Sequence, residues 1–371
     1  MSSSAQHPQR VDLDVLLTPR DAGGHEKALF GWLADAMRHD ALRPRLLLPP
    51  PLEELAQAHG LAETVDRALP ITRRRDALRA LGVAGGARPL LLAPGVLHAQ
   101  AWLTAAAVLG SRPTWIYVPM TFRAADMGYR HAGLRDRALA PWLSRVQGFI
   151  TLGDRQARVL RDDWRVRGTV LTLPNRVSLR GAAPSPPALA TDGRLRVGYV
   201  GRYDLHQKGL DWLVQTLLDD AQLAQGCRWL FQGRGPGEAL LQTLASALGP
   251  HRVEVRPYAP IEQALARADL LLLPSRYEGL PLVALEATAR GWPVVASDRA
   301  GLDELLPSRS VYRFGDREGL KTALASLRTP SARRAAVTHA RIRLLEQLPG
   351  RHYQQAREAV AAALRRAGGA A

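Results

Sequence analysis

Four consecutive leucines, Leu270 to Leu273, run straight into Pro274, Ser275, Gly279 and Pro281, after which residues 281–290 have helical character. A strand of this kind has no polar alternation and therefore no solvent face. It must be covered on both sides, which is the position of a strand in a parallel sheet with helical crossovers. The same strand, loop and helix order recurs along the chain. Strands are predicted at 11–17, 90–93, 114–118, 197–200 and 253–258, with a further one opening 229–240. Helices are predicted from about Lys27, at 99–109, from about Gly209, at 238–247 and at 352–366. The expected fold class is α/β, with two doubly wound, parallel-sheet, Rossmann-like domains.

At 371 residues the chain is long enough for two domains of ordinary size. The boundary is expected at 178–194, where Pro184, Pro186 and Pro187 stand among small residues. That leaves a first domain at 1–177, a second at 195–347 and a terminal segment at 348–371. Cys227 is the only cysteine, so an intramolecular disulfide framework and a cysteine-clustered metal site are both excluded. The apolar stretch 90–110 is interrupted by Pro94, Gly95, His98 and Gln100, and a spanning helix needs about twenty nearly unbroken apolar residues. The opening MSSSAQHPQR is polar and does not read as a charged-then-apolar leader, so a cytoplasmic location is the expectation.

Two glutamates, Glu278 and Glu286, flank the loop-to-helix junction after the leucine strand. In open parallel sheets ligands bind outside the carboxyl ends of the strands, and the free N–H groups of a helix start attract phosphate. An ionised carboxylate beside such a site can accept two hydrogen bonds from a vicinal diol, which suits a nucleotide sugar. Upstream, RVGYVGRYDLHQKGL reads as a short strand broken by Gly201, with Arg202 and Lys208 in the loop that follows. An Arg fork and a mobile Lys charge can converge on one diphosphate, although two solvated loop cations would look the same in so basic a chain.

The string EGLPLVALEATARGWPVVAS resembles the donor-site signature of the retaining family 4 glycosyltransferases, with Pro274, Ser275, Gly279, Pro281, Gly291 and Pro293 in register. The resemblance runs through the whole chain in order and is sharp in the second half. It implies the GT-B fold, with the two domains facing a deep cleft and the last helix crossing back to the first domain. It further implies that Arg202 and Lys208 hold the donor pyrophosphate, that Glu278 holds the sugar and that Glu286 holds the ribose. Ser275, Gly279, Leu280 and Leu282 belong to the same signature. Gly233, in GRGPG, corresponds to the family's Gly-x-Gly-Pro turn, and Arg256 and Tyr258 to the segment beside the nucleotide base. Gly23 and Gly24 correspond to the Gly-Gly that ends the family's first loop. His98 would stand near a strand end, where it could touch sugar or acceptor. The family histidine expected after 114–118 is absent: Pro119, Met120 and Thr121 occupy that place. Asn175-Arg176 likewise departs from the usual Asn-Gly.

The implied activity is retaining transfer of a sugar from a nucleoside diphosphate to an acceptor hydroxyl, in bacterial glycolipid, polysaccharide or glycoconjugate synthesis. No cofactor and no metal are expected: Asp12-Leu13-Asp14 lies inside a strand, and the two cations neutralise the leaving group. A nucleotide-sugar epimerase of the same fold and a basic nucleic-acid-binding protein are the alternatives. The base, the sugar and the acceptor, whether lipid-linked, saccharide or small molecule, depend on pocket side chains that the sequence does not place. The formal net charge of +16 is concentrated in the first domain at Arg73, Arg74 and Arg75. It gathers again in 128–145, where Tyr129, Trp142 and Leu143 alternate with Arg130, Arg135, Arg137 and Arg145. Basic amphipathic helices of this sort suit an anionic membrane surface and a peripheral location, and equally two solvated faces. Nucleic-acid binding would need a known module and stacking aromatics, which are sparse here.

Overall fold

In the computed structural model, residues 10–18, 23–83, 88–95, 97, 101–110, 112–120, 123–125, 127–177, 193–347 and 350–369 are described. The chain divides into two compact units: Met1–Arg176 with Gly350–Ala371, and Val177–Pro349. Each unit is built on one six-stranded parallel sheet.

In the first unit the strands are β1 (Val11–Leu17), β2 (Leu42–Leu47), β3 (Leu90–Ala93), β4 (Thr114–Val118), β5 (Gly148–Thr151) and β6 (Thr169–Thr172), in the spatial order β2-β1-β3-β4-β5-β6. Parallel neighbours require crossovers, and right-handed crossovers put helices on opposite faces according to the direction of travel. The helices Arg74–Val83, Ala101–Leu109 and Ala132–Leu143 pack side by side, and Leu103 and Leu139 meet Leu92, Ile116 and Phe149 of the sheet in one core cluster. The helix Gly350–Gly369 packs on β1, β6 and the helix Gly24–His39. Arg357 Nε forms an ion pair with Asp40 at 3.1 Å, and Arg365 Nη1 donates to the Asp40 carbonyl at 2.9 Å. Asp12 and Asp14 lie inside β1. Asp14 is fully buried and takes a 2.7 Å hydrogen bond from Arg112, and Arg88 reaches Asp12 at 3.1 Å. The formal Asp-x-Asp is thus a pair of ion-paired strand residues.

Arg176 closes this unit. Its Nη1 donates to Asp35 Oδ2 at 2.9 Å, Tyr353 Oη donates to the same oxygen at 3.3 Å, and Arg38 holds Oδ1 at 2.6 Å. The Arg176 guanidinium also lies 5.8 Å from the centre of the Tyr353 ring. The residue that replaces glycine therefore ties the chain's exit from the unit to its point of return.

In the second unit the strands are β7 (Leu195–Arg202), β8 (Cys227–Arg234), β9 (Val253–Arg256), β10 (Leu270–Leu273), β11 (Val294–Ser297) and β12 (Val311–Tyr312), ordered β12-β11-β10-β7-β8-β9. The four leucines of β10 are all buried. Leu270 and Leu272 enter one core cluster with Trp229 and Phe231, and Leu271 and Leu273 enter another with Leu285 and Val294. The period-2 alternation of the strand sends successive leucines to opposite faces, both of them covered. Asp269 fixes the start of this strand pair, accepting from the Arg196 N–H and Nη2, each at 2.8 Å.

Several expected boundaries move. Gly201 does not break β7: it sits at φ +152 inside the strand, paired with Gly233 of β8, and Arg202 is the last strand residue. A Cβ at Gly233 would lie 1.8 Å from the Gly201 carbonyl, so this close approach of two strands needs glycine and Gly233 belongs to the strand instead of the turn. β9 ends at Arg256, because Pro257 has no N–H for the ladder, and Tyr258 lies beyond it. Pro281 caps the helix Leu282–Ala289 from outside, and the helix after β1 already begins at Gly24. Arg74 and Arg75 lie within the helix Arg74–Val83, for which no boundary was predicted.

Candidate functional site

The strand order of the second unit has one switch point. From β7 the chain proceeds to β8 and β9 on one side, whereas β10, β11 and β12 lie on the other. The loops that leave the carboxyl ends of β7 and β10 diverge there, and such a crevice is where open α/β sheets take ligands. Lys208 and Glu278 come from those two loops.

The β7 side is stiff. Tyr203 is buried, its N–H donates to the Arg234 carbonyl at 2.8 Å and its Oη to the Arg256 carbonyl at 2.8 Å. Tyr199 Oη donates to the Arg202 carbonyl at 2.5 Å, and burial pushes its ionisation well above the ordinary phenol range, so it stays a donor. Arg202, with a side chain 49% exposed, is braced by Gln207 Oε1 at 2.8 Å and Asp204 at 3.5 Å. The turn is closed by the Gln207 N–H on Asp204 Oδ1 at 2.8 Å. Gly209 then takes φ +64 with its Cα against the Pro274 carbonyl, where a Cβ would come within 2.0 Å. This contact presses the Lys208 loop onto the β10 loop, and the helix Leu210–Asp219 starts immediately after it.

On the β10 side Glu278 is 3% exposed. Its Oε1 accepts from Ser275 Oγ at 3.1 Å and is ion-paired with Lys208 Nζ, while its N–H donates to the Arg299 carbonyl at 3.1 Å. Ser297 Oγ holds the Ser275 carbonyl at 2.5 Å. A carboxylate so buried needs partners for its lone pairs, and Lys208 and Ser275 supply them. Gly279 and Leu280 lead to Pro281. Leu280 and Leu282 are half-buried against the core, and no side chain caps the first turn of Leu282–Ala289. Glu286, in the second turn, is half-buried. First-turn N–H groups without a side-chain cap, Lys208 and the exposed Arg202 are the donors available to an entering anion, which would compete with Glu278 for Lys208.

The remaining predicted residues are more dispersed. Arg256 is turned onto Glu254 at 2.5 Å, a carboxylate that Arg267 also holds, whereas its carbonyl accepts from Tyr203. Tyr258 is 53% exposed, with the Arg234 guanidinium 5.9 Å from its ring centre. In the first unit Gly23 caps the helix that Gly24 begins, and its N–H donates to Glu26 Oε2 at 2.8 Å. Met120 is buried in the place of the family histidine, and His98 and Thr121 lie outside the described residues. Two residues that sequence reasoning passed over are central here. Gln207 links the Arg202 side chain to its own loop, and Arg276, between Ser275 and Glu278, binds that loop from the β10 side. Neither has a local signal, since a Gln and an Arg in polar loops look like surface.

Residues 194–329 match the profile of glycosyl transferases group 1. The matched residues all lie in the second unit. Two curated relatives extend the match. A phosphatidyl-myo-inositol mannosyltransferase of Mycobacterium leprae is 30% identical over 203 residues, 51% of this chain and 52% of the relative. The sulfoquinovosyl transferase SQD2 of Arabidopsis thaliana is 27% identical over 230 residues, 58% and 40% respectively. The chain thus spans about half or less of the length of these relatives. The structure of Anabaena Alr3699/HepE in complex with UDP-glucose superposes with a TM-score of 0.71 at 16% identity, covering 95% of this chain and 100% of that one. A sucrose-phosphate synthase from Thermosynechococcus elongatus gives 0.65 at 20%, with the same coverage. The two doubly wound sheets are those of the GT-B fold. Among the described residues no helix is long and apolar enough to cross a membrane, and no group of three or more His, Cys, Asp or Glu could hold a metal ion.

Proposed function

We propose that the chain is a glycosyltransferase that moves a sugar from a nucleoside diphosphate to an acceptor hydroxyl, with retention at the anomeric carbon and without a metal. The observation that supports this most is the meeting of Lys208 with Glu278 at the switch point of a group 1 domain, with Arg202 exposed beside the same loop. The diphosphate takes Arg202 and Lys208, and Glu278, relieved of its lysine, accepts from hydroxyls of the sugar. Glu286 accepts from the ribose diol. The anomeric carbon's bond to the phosphate oxygen then breaks while its bond to the acceptor oxygen forms on the same face. The acceptor proton passes to the departing phosphate oxygen, and the two cations stabilise the charge that collects there. UDP-glucose in the HepE structure supports a UDP-sugar donor, and the phosphatidyl-myo-inositol in the mannosyltransferase's name supports a glycolipid product.

The test is turnover of UDP-, GDP- and ADP-sugars by the full-length chain. The reading predicts activity that survives EDTA, Glu286→Ala weakening the free nucleotide, and Glu278→Ala lowering transfer with little effect on the free nucleotide. Strict dependence on a divalent cation overturns the metal-independent part. Equal loss of nucleotide affinity in both variants overturns the division between the glutamates.

A further inference from the structure

Arg276 stands two residues before Glu278, yet its side chain turns away from the carboxylate and into the Lys208 loop. Nη1 donates to the His206 carbonyl and lies 3.1 Å from His206 Nδ1. Nη2 spans the Asp211 carboxylate at 3.2 and 3.0 Å. The guanidinium covers Phe314, 4.9 Å from the ring centre, and Phe314 in turn packs on Trp212 at 5.5 Å. The Arg276 N–H donates to the Gln207 carbonyl at 2.8 Å. One residue therefore grips the chain on both sides of Lys208, at His206 and Gln207 before it and at Asp211 after it.

Such a grip matters because a lysine is a point charge on a long flexible stem, and its aim depends on where its backbone is held. The Arg276 side chain is only 17% exposed, and both ends of its guanidinium fork are occupied. Gln207, whose carbonyl Arg276 holds, is also the residue that braces Arg202. The bond to the Gln207 carbonyl is made by the Arg276 main-chain N–H and survives replacement of the side chain, whose own grip is on His206 and Asp211.

We propose that Arg276 is a positioning residue, whose side chain locks the Lys208 loop to the Glu278 loop so that Lys208 is preset for an entering diphosphate. The role rests on the nucleotide-sugar reading given above. It differs from a direct phosphate contact in one measurable respect: its effect must pass through Lys208.

The experiment is calorimetry on the full-length chain with whichever of UDP, GDP or ADP most raises the wild-type melting temperature, and a double-mutant cycle between positions 208 and 276. Arg276→Ala is expected to weaken binding about tenfold, with Arg276→Lys restoring part of it, as for a displaced binding group. In the Lys208→Ala background the same change should cost less than about twofold, because coupled sites are not additive. Asp211→Asn, which loosens the tether from the other side, should reproduce the Lys208-dependent loss if Arg276→Ala does not fold. Unchanged affinity in Arg276→Ala overturns the role while leaving the nucleotide reading intact, and so does an equal loss with and without Lys208. A wild type that binds none of the three nucleotides removes the nucleotide reading, and the positioning role with it.

Discussion

Lys208 and Glu278 are ion-paired across seventy positions of sequence, the lysine from the loop after β7 and the glutamate from the loop after β10. Because Glu278 is almost fully buried, removing its partner should cost more than removing the pair. Lys208→Met is expected to destabilise the fold by about 3–5 kcal/mol, and Lys208→Met with Glu278→Gln by clearly less. Urea unfolding of the single and double variants measures this. A double variant less stable than the single one contradicts the pairing.

Gly209 is the second point at which the two loops are pressed together. Gly209→Ala would force a side chain into positive φ and put a Cβ 2.0 Å from the Pro274 carbonyl, whereas Gly60, at φ +74, faces open space. Gly60→Ala should cost about 1 kcal/mol of conformational strain, and Gly209→Ala at least about 3. Thermal unfolding that ranks the two equally would show that the loops are free to part.

The Asp35 cluster predicts an acid-side loss of stability. Burial raises the Asp35 carboxyl, but the hydrogen bonds and charges of Arg38 and Arg176 outweigh it, so the group lies below its ordinary value. A depressed carboxyl contributes stability above its unfolded pKa, and that contribution is lost as pH falls through the folded value. Asp35→Asn should therefore be less stable than wild type at pH 7, and the gap should narrow below about pH 4. Unfolding midpoints at several pH values decide it, and a constant gap down to pH 2 refutes the assignment.

The leucine run of β10 was legible because a strand without alternation can only be buried on both faces, and the strands Leu90–Ala93 and Thr114–Val118 were legible for the same reason. Arg202, Lys208, Glu278 and Glu286 stood out by their resemblance to the family's donor-site signature. Their connections did not. Gly201 reads as a strand breaker until Gly233, on a strand elsewhere in the chain, is set beside it. Gln207 and Arg276 acquire a role only when two loops distant in sequence meet. Such contacts are tertiary, and no local pattern encodes them.

The basic helices of the first unit make a separate prediction. Arg73, Arg74, Arg75 and the 47%-exposed Leu78 share the segment that opens and forms the helix Arg74–Val83. If this face meets anionic lipid, the protein should co-sediment with phosphatidylserine-containing vesicles and not with neutral ones, less so as salt rises. Replacing the three arginines should then reduce partitioning by roughly two orders of magnitude, at about 1 kcal/mol each. Undiminished binding of the triple variant would mean a solvated face.

The most direct measurement is a melting series of the wild type and Lys208→Ala with UDP, GDP and ADP. If the Lys208 and Glu278 loops form a diphosphate site, one nucleotide should stabilise the wild type by about 2.7 kcal/mol at a hundred times its dissociation constant. The same concentration should leave Lys208→Ala nearly unshifted. Equal stabilisation of both proteins would place the nucleotide elsewhere, and no stabilisation of either would contradict the nucleotide-sugar site altogether.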